Sequence, residues 1–347
     1  MFFLLVSLVS LVFSMPEMNV LIYGGGAVGL GLASCLLKAG VKVTILARAE
    51  TAAALRAHGL IRTGIFGDVT APAGTFGVSA SLAELDAPQF DIVLVCTKSF
   101  DSETVAADLA AHQSVSKGDS RIVLCQNGWG NAEIFVKHLP KENIYNARVI
   151  TGFIRPQPHV VKITVHAEAV HVGSLFGSRL EPVEPLCAAI NAGDLPCEAT
   201  SHIGKDLWAK MLYNCALNPL SAICRVPYGK LGEREETRQI MNQIIQEIFL
   251  VMRAAGYATH WDAPEGYLQV FYGKQVPLTA LHESSTFQDL RAGKRTEIDA
   301  FNGAIVKLGQ QAGLATPANL IVYNLIKFLE VQPKEDKSAR HFDSAGH

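Results

Sequence analysis

Neither sign of charge is in excess in this chain: Lys and Arg number 30 against 32 Asp and Glu. That removes the broad basic field a nucleic-acid binder needs and leaves room only for a local basic site holding one anion. Charge is sparse too, at 18% of residues against 49% hydrophobic, the ordinary balance of a folded soluble protein and far from disorder. Cysteine is present without pattern. Cys35, Cys96, Cys125, Cys187, Cys197, Cys215 and Cys224 make no CxxC, and their number is odd. Reduced, buried thiols in a cytoplasmic protein are expected, not a disulfide framework. There is also no HExxH and no Cys–His ligand set, so no metal is expected.

One apolar run stands out. Residues 1–15, MFFLLVSLVSLVFSM, are twelve apolar residues and three serines. The run is short of the roughly 20 residues of a membrane span, and it lacks the basic start and small-residue cleavage box of a signal peptide. Three readings of this leader, taken as residues 1–17, stay open. It is a dispensable or misassigned extension upstream of Met15 or Met18, a targeting or anchoring segment, or a packed strand. Membrane contact is expected only if the leader is retained.

At 347 residues the chain suits two domains. NVLIY at 19–23 reads as a strand, and GGGAVG follows at once. LGLASCLLKAG then reads as a helix ending at Gly40. VKVTILAR at 41–48 is a second strand and ETAAALRAHG at 50–59 a second helix. Loops and short strands fill 59–80. FDIVLVC at 90–96 and RIVLCQNG at 121–128 have the continuous apolar runs of parallel strands covered on both faces. Weaker strand candidates occupy 144–173. The expectation is an α/β Rossmann-type domain with a mostly parallel sheet over residues 18–195. An all-helical domain should follow over 196–331, and a polar tail over 332–347.

The glycine turn carries the first functional signal. Gly24, Gly26 and Gly29 in GGGAVG, with Ala27 and Val28 between them, follow a strand and open a helix. The first glycine permits the tight turn, the second lets backbone approach a pyrophosphate, and the third lets helix and sheet pack closely. The pyrophosphate would face free N–H groups at the positive end of the helix dipole. The second strand ends in ILAR, with Arg48 where an NAD site usually places an acid. A guanidinium there suits a 2′-phosphate, hence NADPH/NADP+. A solvated surface arginine is the alternative, and Glu50 is close enough to serve as a late acid.

Two polar clusters interrupt the helical half. HIGKDLWAKMLYNCALNPL sets Lys210, Asn214 and Asn218 four apart, on one helix face. Buried amides and charges are costly unless paired, so the face is either functional or held by snorkelling and helix cross-links. HESSTFQDLRAGKRTEIDAFNG carries Ser285, Asp289, Arg291, Glu297 and Asp299. By pattern alone these fit a solvated face with ion pairs.

Taken together and in order, GGGAVG, VCTKSF, CQNGWG, LWAKMLYNCALNPLSAI and SSTFQDLRAGKRTEIDAFNG resemble the ketopantoate reductase (2-dehydropantoate 2-reductase) family over about residues 19–330. The resemblance implies a cleft between a Rossmann domain and a helical domain, and a small 2-keto acid substrate. It implies that Lys210 is the catalytic lysine and Glu297 the catalytic glutamate, with Glu297 also beside the cofactor. Asn127 would contact cofactor and substrate. Asn214, Asn218 and Ser285 would hold the substrate, Lys98 would lie near the cofactor, and Arg48 would take the 2′-phosphate. Two features depart from the pattern: His282 stands where an asparagine is frequent, and RPQPHVVKI at 155–163 replaces a DG-containing turn. Both leave open a reductase of another branched 2-keto acid or ketone; a non-catalytic NADP-binding regulator is a further alternative. Long apolar helices are compatible with a homodimer.

Overall fold

The computed structural model of the chain describes residues 17–85, 89–112 and 115–332. The expected leader, Glu17 excepted, and the tail from residue 333 lie outside them. Among the described residues no helix is long and apolar enough to cross a membrane.

The described residues form twelve strands in two sheets: β1 Asn19–Tyr23, β2 Lys42–Leu46, β3 Leu60–Gly64, β4 Val69–Ala71, β5 Gly77–Ser79, β6 Phe90–Val95, β7 Ser116–Leu124, β8 Ile144–Arg148, β9 Thr151–Gln157, β10 Val160–His166, β11 Val170–Gly173 and β12 Cys197–Ala199. The main sheet runs β12-β11-β8-β7-β6-β1-β2-β5. All its pairings are parallel except β11 with β8. Its strands are apolar on both faces because both are covered. Val20 and Ile22 of β1 pack into one core with Leu30 and Leu36, whereas Leu21 between them packs into the other with Val105 and Leu109. β12 carries the sheet past residue 195, so the strand-bearing part of the chain extends to Ala199.

Five helices accompany this sheet: α1 Ala27–Lys38, α2 Ala49–His58, α3 Ser102–Ala111, α4 Asn131–Phe135 and α5 Glu184–Ala192. The smaller sheet, β4-β3-β10-β9, lies against α1. The approach is close enough that a Cβ on Gly31 of α1 would collide with the Phe153 ring of β9. Residues 155–163, expected only as an altered turn, are thus the end of β9, its turn and the start of β10.

From Ile203 the described chain is helical: α6 Ile203–Cys224, α7 Tyr228–Gly232, α8 Glu235–Ala254, α9 Pro264–Val270, α10 Val276–Leu278, α11 Ser285–Arg291, α12 Asn302–Gln311 and α13 Pro317–Glu330. α6 is the axis of this half, with Trp208, Met211, Leu212 and Cys215 packed among Met241, Ile244, Ile245 and Ile248 of α8. Pro219 inside α6 has no N–H to give the Cys215 carbonyl. Asn302 Nδ2 supplies that hydrogen bond instead, at 3.1 Å. The proline that would weaken α6 therefore fixes the start of α12 against it, and the turn just before α12 carries Glu297.

Candidate active site

β1 lies between β2 and β6, so the connections leave it in opposite directions. In such sheets ligands bind at the carboxyl ends of the strands around that switch point. The glycine turn follows β1, Arg48 follows β2, Lys98 follows β6 and Asn127 follows β7. Four stretches chosen from sequence thus arrive at one edge.

The turn is shaped by what its glycines lack. Gly24 has φ 118°, and a Cβ there would stand 2.9 Å from the Cys96 carbonyl carbon and the Thr97 nitrogen. A Cβ on Gly29 would overlap the Gly24 carbonyl oxygen. Gly26 precedes α1 with no side-chain cap, and the first turn, beginning Ala27–Val28, holds no acid. The N–H groups at this helix end thus have no side-chain acceptor from the cap, the condition a dinucleotide pyrophosphate requires. The Arg48 side chain, exposed at the start of α2, makes no hydrogen bond or ion pair among the described residues.

A chain of polar contacts joins these strand ends to the helical half. Lys210 Nζ on α6 donates to Asn127 Oδ1 and to the Val149 carbonyl, both at 2.6 Å. Asn127 Nδ2 faces Glu297 Oε2 at 3.5 Å. Glu297, buried, accepts from the Ser99 backbone N–H at 3.0 Å and from Lys98 Nζ at 3.2 Å. Lys98 also pairs with Asp289 of α11 at 2.8 Å. The two residues expected to do chemistry are thus joined through one asparagine.

The cations of this chain differ in kind. Burial lowers Lys210 to a pKa of about 8, Arg148 pushes the same way and Glu297 opposes them. Lys98 is also burdened by burial, but Glu297 and Asp289 outweigh it and raise its pKa. Burial raises Asp289, against the pull of Lys98. One lysine is poised to release a proton near neutrality and the other is locked as a cation.

The frame around these groups is anchored from both sides. Trp129 N–H donates to the Ala300 carbonyl at 2.9 Å. Gly128, at φ 87°, allows the approach, since a Cβ there would meet Ala300 Cβ at 2.5 Å. On the other flank, Thr296 donates through N–H and hydroxyl to Glu330 Oε1, each at 2.7 Å.

Asn214, one turn beyond Lys210, makes no side-chain hydrogen bond among the described residues. Asn218 is buried, and its Oδ1 accepts from the Tyr228 hydroxyl. Ser284, not Ser285, caps α11 and donates to the Asn218 carbonyl at 3.1 Å, which leaves the half-buried Ser285 hydroxyl free of that duty. His282 is half-buried with its ring 5.2 Å from that of Tyr228. Sequence reasoning missed the Ser99 N–H, the Val149 carbonyl and Tyr228. None has a local signal, since each is defined only by its distant partner. It also left Asp289 on a solvated face, whereas the structure turns it inward onto Lys98.

The family described as ketopantoate reductase PanE/ApbA matches residues 20–177, and its C-terminal counterpart matches residues 202–330. The chain belongs to the ketopantoate reductase family. It is 33% identical to a 2-dehydropantoate 2-reductase of Aquifex aeolicus, over 90% of this chain and 97% of that one. A PanE/ApbA family ketopantoate reductase from Ralstonia eutropha JMP134 has the same fold, with TM-score 0.77 and 30% identity over 90% of this chain and 98% of that one. The structure of D-mandelate dehydrogenase with NADH and anilino(oxo)acetate shares the fold at TM-score 0.80 and 24% identity, over 90% of this chain and 98% of that chain. Family and fold together make this chain an NAD(P)-dependent oxidoreductase.

Proposed function

We propose that this chain reduces 2-dehydropantoate to pantoate, with NADPH as the hydride donor. The observation that carries the reading is the Lys210–Asn127–Glu297 chain, whose Asn127 follows β7 at the same sheet edge where the uncapped glycine turn follows β1. When bound, the reduced nicotinamide supplies the hydride for the C2 carbonyl carbon. Lys210 stabilises the charge that develops on the carbonyl oxygen and then gives it a proton. Its lowered pKa, about 8, keeps it protonated at neutrality while easing that transfer. Glu297, held by Ser99 and Lys98, accepts a hydrogen bond from the new hydroxyl. Asn127 keeps the two at a fixed separation. Asn214, Asn218 and Ser285 take the carboxylate and hydroxyl ends of the substrate.

The preference for NADPH over NADH rests on Arg48, a guanidinium without a carboxylate partner at the end of β2. His282 beside Tyr228 supports a second reading, in which another branched 2-keto acid is the better substrate. Steady-state assays of purified protein on 2-dehydropantoate and other branched 2-keto acids, each with NADPH and NADH, separate the two. The proposal expects the highest kcat/KM for 2-dehydropantoate with NADPH. Faster turnover of another acid would favour the second reading. NADPH binding without turnover of any acid would leave a non-catalytic binder.

Lys210→Ala should lower turnover roughly 100-fold or more, the range of lost general acid catalysis. Wild-type turnover would remove Lys210 from the chemistry.

A further inference from the structure

We propose that Arg155 is a cofactor-specificity residue, a second cationic arm that joins Arg48 in gripping a phosphate monoester on the adenosine ribose. The inference deepens the NADPH reading above and rests on it. Arg155 belongs to β9 in the small sheet, far from the glycine turn in sequence. Its Nη1 nevertheless donates to the Gly25 carbonyl at 3.0 Å and to Thr51 Oγ1 at 2.9 Å. Gly25 is in the glycine turn, and Thr51 lies in the first turn of α2, three residues after Arg48. The guanidinium thus stands between the amino ends of two helices.

That is a poor place for a cation on the protein's own account. Each helix start carries a partial positive charge, which favours anions and disfavours a guanidinium. Among the described residues neither Arg155 nor Arg48 has a carboxylate partner, and Glu50, the acid in the first turn of α2, pairs with neither. Both of these guanidiniums are exposed, whereas the two buried arginines of the same half each have a carboxylate. Arg62 meets Asp194 at 2.5 Å and Arg148 meets Glu168 at 2.5 Å. Around the end of β2 are two arginines and two helix ends, and no carboxylate is paired with either guanidinium among the described residues, so an anion from outside completes the set.

Position identifies which anion. The pyrophosphate belongs over the start of α1, whereas the ribose of the adenosine lies beside the end of β2. Thr51 and Arg48 both flank that strand end, and Arg155 is fastened to Thr51. Its Nε and Nη2 make no hydrogen bond among the described residues and remain to donate to phosphate oxygens. The contact to Gly25 ties the arm to the glycine turn, so the grip on the ribose phosphate and the cradle for the pyrophosphate are set by one side chain.

Fluorescence titration of full-length protein with NADPH and with NADH, without substrate, tests this in Arg155→Ala, Arg155→Lys and Arg48→Ala. The Kd for NADPH in Arg155→Ala should rise roughly tenfold or more, the size of a lost charge-assisted hydrogen bond, while that for NADH changes by about twofold at most. Arg155→Lys should recover part of the NADPH affinity, and thermal melts confirm that the variants are folded. Equal weakening of NADPH and NADH would make Arg155 a strap on the glycine turn and overturn the inference, as would unchanged binding of both. If preference for NADPH is lost only in Arg48→Ala, the cofactor reading stands and Arg155 alone falls. A wild-type protein without preference sinks the cofactor reading and takes the inference with it.

Discussion

α1 and α13 begin in opposite ways. At α13 the protein brings its own anion: Glu247 of α8, buried, accepts from the backbone N–H groups of Ala318 at 2.9 Å and Asn319 at 3.0 Å. It takes the Asn319 side chain as well, at 2.8 Å. At α1 the cap is Gly26, the first turn has no acid, and two unpaired arginines stand nearby. Both helix ends carry the same dipole and the same free N–H groups. Where a carboxylate is built in, the helix end is a joint between helices. Where it is withheld, the proposed reading makes the end a receptor, and stability that a cap would add is then left for the cofactor to provide on binding.

The comparison breaks most sharply if α1 is given what α13 has. Gly26 has φ −80° and ψ −175°, the extended geometry of a capping residue, and a Cβ there meets nothing nearer than the Cys96 carbonyl oxygen at 3.8 Å. Gly26→Asp therefore fits, caps α1 and places a negative charge where the pyrophosphate belongs. We expect the cofactor-free protein to melt higher and the Kd for NADPH and NADH alike to rise roughly hundredfold. Titration together with a thermal melt checks both halves, and undiminished binding would mean that α1 is not the receptor. Arg48→Ala sharpens the same contrast at the edge of the site. It should weaken NADPH roughly tenfold while sparing NADH, and equal losses would return Arg48 to the solvated surface.

Much of the receptor end was legible because it is written contiguously. Strand, glycine turn and helix occupy residues 19–38, and the β-branched run ending at Arg48 comes next. The polar face of α6 was equally visible, since Lys210, Asn214 and Asn218 recur with the helical period. What joins these pieces was not. Asn127 and Lys210 are 83 residues apart, and Lys98 and Glu297 are 199 apart. The small sheet pairs β3 with β10 across a similar gap, and a short strand such as β12 has no periodicity long enough to see. Glu247 is hidden for the same reason. On α8 it looks like one more charge on an amphipathic helix until α13 arrives. Only the family resemblance gave Lys210 and Glu297 roles in advance, and the distances then gave those roles a geometry.

The two lysines of the polar chain extend the contrast from helix ends to side chains. Lys98 has two carboxylates and is held charged, whereas Lys210 has a neutral amide and a carbonyl, and burial lowers its pKa to about 8. Reduction needs Lys210 protonated. Turnover should be flat below that pKa and fall roughly tenfold per unit as pH rises beyond about 8. Glu297→Gln removes the one carboxylate that opposes the lowering, so the alkaline limb should move to lower pH. A pH–kcat profile of both proteins decides it, and a limb that stays fixed would dissociate Glu297 from the proton on Lys210.

The smallest functional effect is expected at the filled helix end. Glu247→Ala leaves two backbone N–H groups and the Asn319 amide without their acceptor, at a site too buried for water to replace it freely. The cost to folding should be about 1–3 kcal/mol, the range of a lost cap and unsatisfied donors, read as a shift of the denaturation midpoint. Glu247→Gln should recover part of it, because an amide oxygen still accepts but no longer carries the charge that suits the dipole. Cofactor affinity should move less than stability in either variant, since α13 holds Thr296 and Asp299 through Glu330, Tyr323 and Lys327, far along the helix, while its start bonds Asn302. If Glu247→Ala instead weakened NADPH binding as much as Gly26→Asp, the two helix ends would not be independent, and a built-in anion at one would be part of how the other receives its own.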